Sequence, residues 1–235
     1  MHLIEAAGEA FRLLFAGDAA LWQIIWVSVK TTLIALAIAT PFAVCIGYLI
    51  ASRSFFGRRI VIWLSQAALS IPTVLVGLLL YLLLSRQGPL GSLQWLFTQK
   101  GIIAGQALIA MPVLVAFTLS AVQAADPRIS ETAVTLGASP ARVMFTVLHE
   151  VRFGVMTAVI TGFGRIVAEV GGAMMIGGNI ESETRTITTA IALETSKGEF
   201  SQGIALGIVL MSIALILNAF LMLAQGDARA ARVAQ

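Results

Sequence analysis

Two residues stand out by type and spacing: Arg165 and Glu169, in the stretch "GRIVAEVGGAMMIGGNIESETRTITTAIALETSKGEF", residues 164–200. They lie four apart, which places them on one face of a helix. The residues around them are apolar enough to cross a bilayer. Charges at membrane depth are costly, so they face a protein interior or water and often pair. The first expectation is an intramembrane ion pair, Arg165 with Glu169, that satisfies itself and fixes helix packing. Gating is the second use such a pair could serve, and in a proton-coupled carrier it would be the relay.

The residues that follow are small and hydroxylated. Gly171, Gly172, Gly177 and Gly178 permit close backbone approach, Asn179 comes next, and Thr184, Thr186, Thr188 and Thr189 supply hydroxyls. Hydroxyls and free N–H groups can hydrogen-bond an anion without holding it by full charge. One reading is an anion pathway through Gly171, Gly172, Asn179, Thr188 and Thr189. A close-packed Gly/Thr helix interface explains the same residues equally well. Arg185, the cation beside the threonines, reads as a solvated residue in preference to an anion guide.

Other chemistry is excluded. The one cysteine, Cys45, sits in an apolar run with no ligand-forming neighbours and reads as a small buried hydrophobe, so no metal site is expected. No phosphate-cradling G-x-x-x-x-G-K-[ST] loop is present, so the chain is expected to hold no nucleotide and no other cofactor, and to catalyse nothing itself. No basic cluster alternates with aromatics, so nucleic acid is not an expected partner.

The elements that must position these residues follow from composition. Of 235 residues, 58% are hydrophobic and 11% charged, where soluble domains are about 25% charged. The chain reads as an all-α, polytopic protein embedded in membrane lipid. Five stretches are long enough to span, at roughly 20 apolar residues each: residues 21–50, 60–84, 101–123, 153–176 and 200–224. Pro41, Pro72 and Pro112 fall inside spans, where neighbouring helices can re-satisfy the freed backbone. Residues 1–20 are too short and charged to span, and Leu3, Ala7, Ala10, Phe11 and Leu14 share a helical face, as in an interfacial amphipathic helix. Residues 225–235 form a tail.

Five spans put the termini on opposite sides. One side then carries Arg53, Arg58, Arg59, Arg128, Arg142, Arg152, Arg229 and Arg232; the other carries Arg12, Arg86, Lys100, Arg185 and Lys197. The positive-inside rule favours the larger set in the cytoplasm, with the N-terminus outside.

Between the third and fourth spans lies "ISETAVTLGASPARVMFTVLHEVR", residues 129–152. Asp126-Pro127 predicts a helix start, Gly137 its end, and Ser139-Pro140 a second start by the same cap-and-proline chemistry. The expected product is a polar helical hairpin on the cytoplasmic side. An excursion far longer than a turn requires usually reflects a contact.

Here the residues resemble a family. Glu131, Ala133 and Gly137 keep the spacing of the Glu-Ala-Ala…Gly signature of importer-type ABC-transporter permeases, with Thr132 in place of the middle alanine and Val147 at the later aliphatic position. Ala138, Ser139 and Pro140 after the signature glycine are also typical, while His149 and Glu150 stand where the family closes with Leu-Pro. "SVKTTLIALAIATPFAVCIGYLIA" is similar to the family's opening helix, and the resemblance covers nearly all of residues 22–224. "AEVGGAMMIGGNI", "TRTITTAIALET" and "KGEF" resemble the tungstate-uptake permeases more closely than the molybdate and sulfate ones.

The resemblance implies a permease domain over residues 21–224 and a bacterial or archaeal plasma membrane. It implies a homodimer working with a cytoplasmic ATPase dimer that holds ATP and Mg, and with an extracytoplasmic oxyanion-binding protein. Glu131, Thr132, Ala133, Gly137, Ala138 and Ser139 would form the coupling helix docked on the ATPase. The implied cargo is tungstate, with molybdate or sulfate as alternatives. A stand-alone secondary carrier using Arg165 and Glu169 is a further alternative.

Overall fold

The computed structural model describes Arg12 and residues 17–233, with side chains as far as Ile216 and at Ala219 and Leu223. The amphipathic helix expected over residues 1–20 falls outside the described residues except at Arg12 and 17–20, of which Ala19 and Ala20 already belong to the first long helix.

That helix, α1, runs Ala19–Ser52. The Asp18 carboxylate starts it by accepting from the Ala20 N–H at 2.8 Å and the Leu21 N–H at 3.4 Å, satisfying amides that have no intrahelical partner. Its 34 residues extend about 51 Å, well beyond the ~30 Å apolar core of a bilayer. Pro41 lies within it without ending it. One face is small and buried, with Ala35, Ala39, Ala43 and Gly47 stepping by four. The rest is exposed and greasy, including Trp22, Trp26, Leu33 and Phe42. Cys45 lies off the buried face and is exposed, against expectation, because only the every-fourth-residue stripe turns inward.

The second apolar stretch is broken. α2 (Arg58–Ala67) passes through a short 3-10 turn, and α3 (Thr73–Leu84) leaves it at 94°. Ile71 and Pro72 are both extended, with ψ of 126° and 123°. A proline drives its predecessor out of the helical region and cannot donate to the preceding turn. Pro72 therefore divides residues 60–84, whereas Pro41 and Pro112 sit inside unbroken helices.

The centre is α4 (Gln99–Gln123), which packs along α1 and along α7 (Arg152–Val167). Ala35, Leu36, Ala39 and Ala43 of α1 meet Ile109, Ala110, Leu114 and Val115 of α4 and Ala158, Phe163 and Ile166 of α7. Lipid tails are as apolar as leucine, so small residues that let backbones approach are what favour association here. Between α4 and α7 come α5 (Pro127–Thr135) and α6 (Pro140–Glu150), the expected hairpin. α6 turns into α7 at 74°.

The fourth stretch is not one helix. α7 stops at Val167, and a seven-residue α8 (Gly171–Gly177) follows a break at residues 168–170. Then come α9 (Ile187–Lys197) and α10 (Phe200–Val233). The expected tail is helical as far as Val233, a continuation of α10. No strand occurs among the described residues. α1 and α4 are each long and apolar enough to cross a membrane, and the bent pairs α2–α3 and α6–α7 bring the candidates up to four. α10 adds a shorter apolar run over Phe200–Ile216.

Candidate functional site

The hairpin is built from local chemistry. The Asp126 carboxylate accepts from the Arg128 N–H at 2.9 Å, and Pro127 occupies the first helical position. The end of α5 is a complete Schellman turn. Gly137 has φ +78°, its N–H donates to Val134 at 2.9 Å, and the Ala138 N–H donates back to Ala133 at 3.0 Å. α6 begins at Pro140 without a side-chain bond from Ser139, so proline alone supplies the expected restart. Val143 and Val147 anchor the hairpin on Tyr48 of α1 and Val122 of α4.

Its other side is open. Glu131, Thr132, Gly137 and Ser139 are exposed; Ala133 and Ala138 are half-buried against the anchor. Three large apolar side chains that sequence reasoning passed over are exposed as well: Val134 at 60%, Leu136 at 81% and Phe145 at 66%. Their position on a polar hairpin was the signal that could have found them. Exposed apolar side chains rimmed by polar ones mark a surface that another protein covers.

Arg165 and Glu169 do not pair. α7 ends between them, so the four-residue spacing no longer places them on one helical face. Ion pairs form elsewhere, between Arg185 and Glu181 at 3.7 Å and between Lys197 and Glu194 at 3.1 Å. Glu169 turns inward, 6% exposed, and its Oε1 accepts from the Gly172 N–H at 2.9 Å, at the start of α8. Arg165 is exposed and lines a cavity of about 330 Å³ beside α3 and α4.

The Gly/Thr region is a packing interface. A Cβ on Gly105 would meet Ile176 of α8 at 2.6 Å, and one on Gly171 would meet Val74 at the same distance. Thr188 and Thr189 are buried and their hydroxyls are engaged. Thr188 donates to the Glu169 carbonyl at 2.7 Å, and Thr189 forms a reciprocal capping box with Thr186. Thr184 donates to the Gly177 carbonyl at 2.6 Å and accepts from the Ile180 N–H at 2.9 Å. Ser28 of α1 accepts from the Ile187 N–H at 2.6 Å. Asn179 has φ +52° after Gly178, and its buried Oδ1 has no partner. Arg185 is not solvated: its side chain is 15% exposed and leans on Glu181. The loop is tied down by Gln23 to the Ser182 carbonyl and by Gln99 to the Glu183 carbonyl, both at 2.8 Å.

A bundle of broken and unbroken apolar helices, with a polar hairpin anchored on one side and open on the other, defines a membrane transport subunit. Residues 43–232 match the family described as binding-protein-dependent transport system inner membrane component, and the chain belongs to that family. It is a multi-pass membrane protein, and the energy for transport in this family comes from a separate ATPase. The chain is 38% identical over 221 residues to the tungstate uptake system permease protein of Campylobacter jejuni, covering 92% of this chain and 91% of that one. It is 35% identical over 218 residues to the protein of the same description from Peptoclostridium acidaminophilum, covering 93% and 96%. Its fold matches a chain of a bacterial ABC transporter that imports alginate, with a TM-score of 0.70 at 18% identity, over 94% of this chain and 82% of that one.

Proposed function

We propose that this chain is the pathway-forming subunit of an ATP-driven importer of a tetrahedral oxyanion, with tungstate as the cargo. The observation that carries the coupling is the hairpin: a stiff two-helix elbow, fixed on α1 and α4 by Val143 and Val147, presenting Leu136 and Phe145 outward. In this reading Glu131, Thr132, Ala133, Gly137, Ala138 and Ser139 sit in a cleft of a cytoplasmic ATPase that holds ATP and Mg. Two permease copies enclose the pathway on a two-fold axis, as closed symmetry favours. The hairpin is cytoplasmic, the N-terminus is outside, and a binding protein delivers the anion to the loop between α8 and α9. Choice of tungstate rests on the extent of similarity to the two tungstate permeases.

The cavity edge beside Arg165, not the bonded hydroxyls of Thr188 and Thr189, is the more suitable lining for the pathway. Gly171, Gly172, Thr188 and Thr189 give that lining its rigid backing, and the unpartnered Oδ1 of Asn179 lies beyond it, at the end of α8. The test is uptake of labelled tungstate, molybdate and sulfate into vesicles carrying permease, ATPase and binding protein. ATP-dependent tungstate uptake that molybdate and sulfate compete for only weakly is expected. Uptake that persists without the ATPase overturns the reading.

A further inference from the structure

We propose that Arg165 is the cation that receives the oxyanion inside the membrane, two copies of it across a permease pair matching the double negative charge of one tetrahedral oxyanion. This rests on the oxyanion reading above and adds to it the residue that meets the cargo.

The first support is depth. Arg165 lies 13 residues beyond Arg152, the start of α7, or about 20 Å along the helix axis. With α7 entering the apolar core at Arg152 and running along the bilayer normal, that is past the middle of a ~30 Å core measured from the hairpin side. An exposed cation at this depth faces water or another protein surface rather than lipid.

The second support is that the fold denies Arg165 its obvious counter-charge. α7 ends between the two residues, and one oxygen of the Glu169 carboxylate accepts from the Gly172 N–H instead of from the guanidinium. No Asp or Glu occurs in residues 19–52, 58–84, 99–123 or 200–224. Glu194 of α9 is held by Lys197 at 3.1 Å, and those stretches of a second copy bring no carboxylate to face Arg165. Like charges facing one another across a two-fold axis are unfavourable when empty and favourable around a dianion.

The third support is the cavity itself. Arg165 opens on a space of about 330 Å³ lined by Ile71, Thr73, Leu80, Leu108 and Pro112, enough for roughly ten waters at ~30 Å³ each. Its edge is the Pro72 break, where α3 begins at Thr73 with no side-chain cap. A helix start carries partial positive charge from its free amides, so both ends of this wall have the same sign. A guanidinium is well matched to an oxyanion, being weakly hydrated and offering it a planar fork of donors. One arginine from each copy, in a wall that is otherwise mainly apolar, holds an anion loosely enough to let it leave, as conduction requires.

The test uses the assembled importer in vesicles, with wild-type tungstate uptake as the control. Arg165→Gln is expected to lower uptake about ten- to a hundredfold, the rate equivalent of one charge-assisted hydrogen bond. Arg165→Lys is expected to retain more, with the ATPase still bound and still stimulated by the binding protein in both. A second arm places a cysteine there, Arg165→Cys with Cys45→Ala. A cationic methanethiosulfonate should restore uptake, an anionic one should not, and tungstate should slow the labelling. Wild-type rates in Arg165→Gln overturn the proposal, as does a cysteine that is unreactive or indifferent to the adduct's charge. Failure of both the Gln and Cys forms to assemble, with the Lys form intact, also overturns it by making Arg165 a structural cation. A wild-type complex that carries no oxyanion sinks the cargo reading and this proposal together; an active wild type beside an equally active Arg165→Gln sinks this proposal alone.

Discussion

Gly77 and Gly172 touch backbone to backbone: a Cβ on Gly77 would lie 2.7 Å from the Cα of Gly172. α3 and α8, the two short pieces produced by chain breaks, are thereby held against each other at a point that admits no side chain. Gly77→Val is expected to force them apart. Overpacking of this kind costs about 1–3 kcal/mol. The purified complex should lose thermal stability, read as a lower melting temperature in detergent; an unchanged melting temperature would show that the contact is not held in the membrane.

Gly137 has open space around it, so substitution there is a matter of backbone alone. At φ +78° a β-branched residue is strained by about 1–2 kcal/mol. Gly137→Val should leave the membrane bundle inserted and folded while loosening the turn between α5 and α6. Uptake should fall with little change in helix content by circular dichroism.

Leu136 is the most exposed large apolar side chain of the hairpin, at 81%. If an ATPase cleft covers it, truncation removes an interface anchor, an effect of about 2 kcal/mol for a well-packed one. Leu136→Ala should reduce the ATPase that co-purifies with the permease and leave the melting of the isolated permease alone. Equal recovery of ATPase from both forms would place the docking surface elsewhere.

Glu169 acts through an acceptor atom. Glu169→Gln keeps that acceptor for Gly172 and should hold uptake within about threefold of wild type, since only charge assistance is lost. Glu169→Ala should cost far more. A stand-alone proton-coupled carrier predicts the reverse order, with the Gln form dead, so the two variants measured side by side in transport assays separate the mechanisms.

Ser28 reaches across from α1 to the first amide of α9. Ser28→Ala leaves a buried N–H without its partner, at about 1–3 kcal/mol. Thermal stability should drop, while the apparent affinity for tungstate in uptake stays unchanged.

The hairpin was legible because its signals are local. Asp126-Pro127, Gly137 and Ser139-Pro140 dictate backbone geometry within a few residues, and each break falls where those residues stand. The break at Pro72 was not legible in the same way. Pro41, Pro72 and Pro112 all lie in apolar runs, and only the surroundings determine which one ends a helix: Pro41 and Pro112 ride on long helices packed against each other, whereas Pro72 sits at the 94° corner between α2 and α3. The end of α7 before Glu169 was hidden for a related reason. Nothing in "RIVAEVGG" forbids a continuous helix, and the turn is fixed by Glu169 itself taking the Gly172 amide and by the crossing at Gly77. Thr188 and Thr189 offered hydroxyls in either reading; only their distances to Glu169 and Thr186 show them already occupied.

α1 passes its proline and runs unbroken for 34 residues. Two other stretches of the chain are jointed, at Pro72 and at residues 168–170. A rod of that length cannot shorten; it can only lean. Any stroke delivered at the elbow therefore arrives at the far face as a tilt about this axle, with the jointed pieces flexing around it, and the travel at the outer rim is set by leverage along α1.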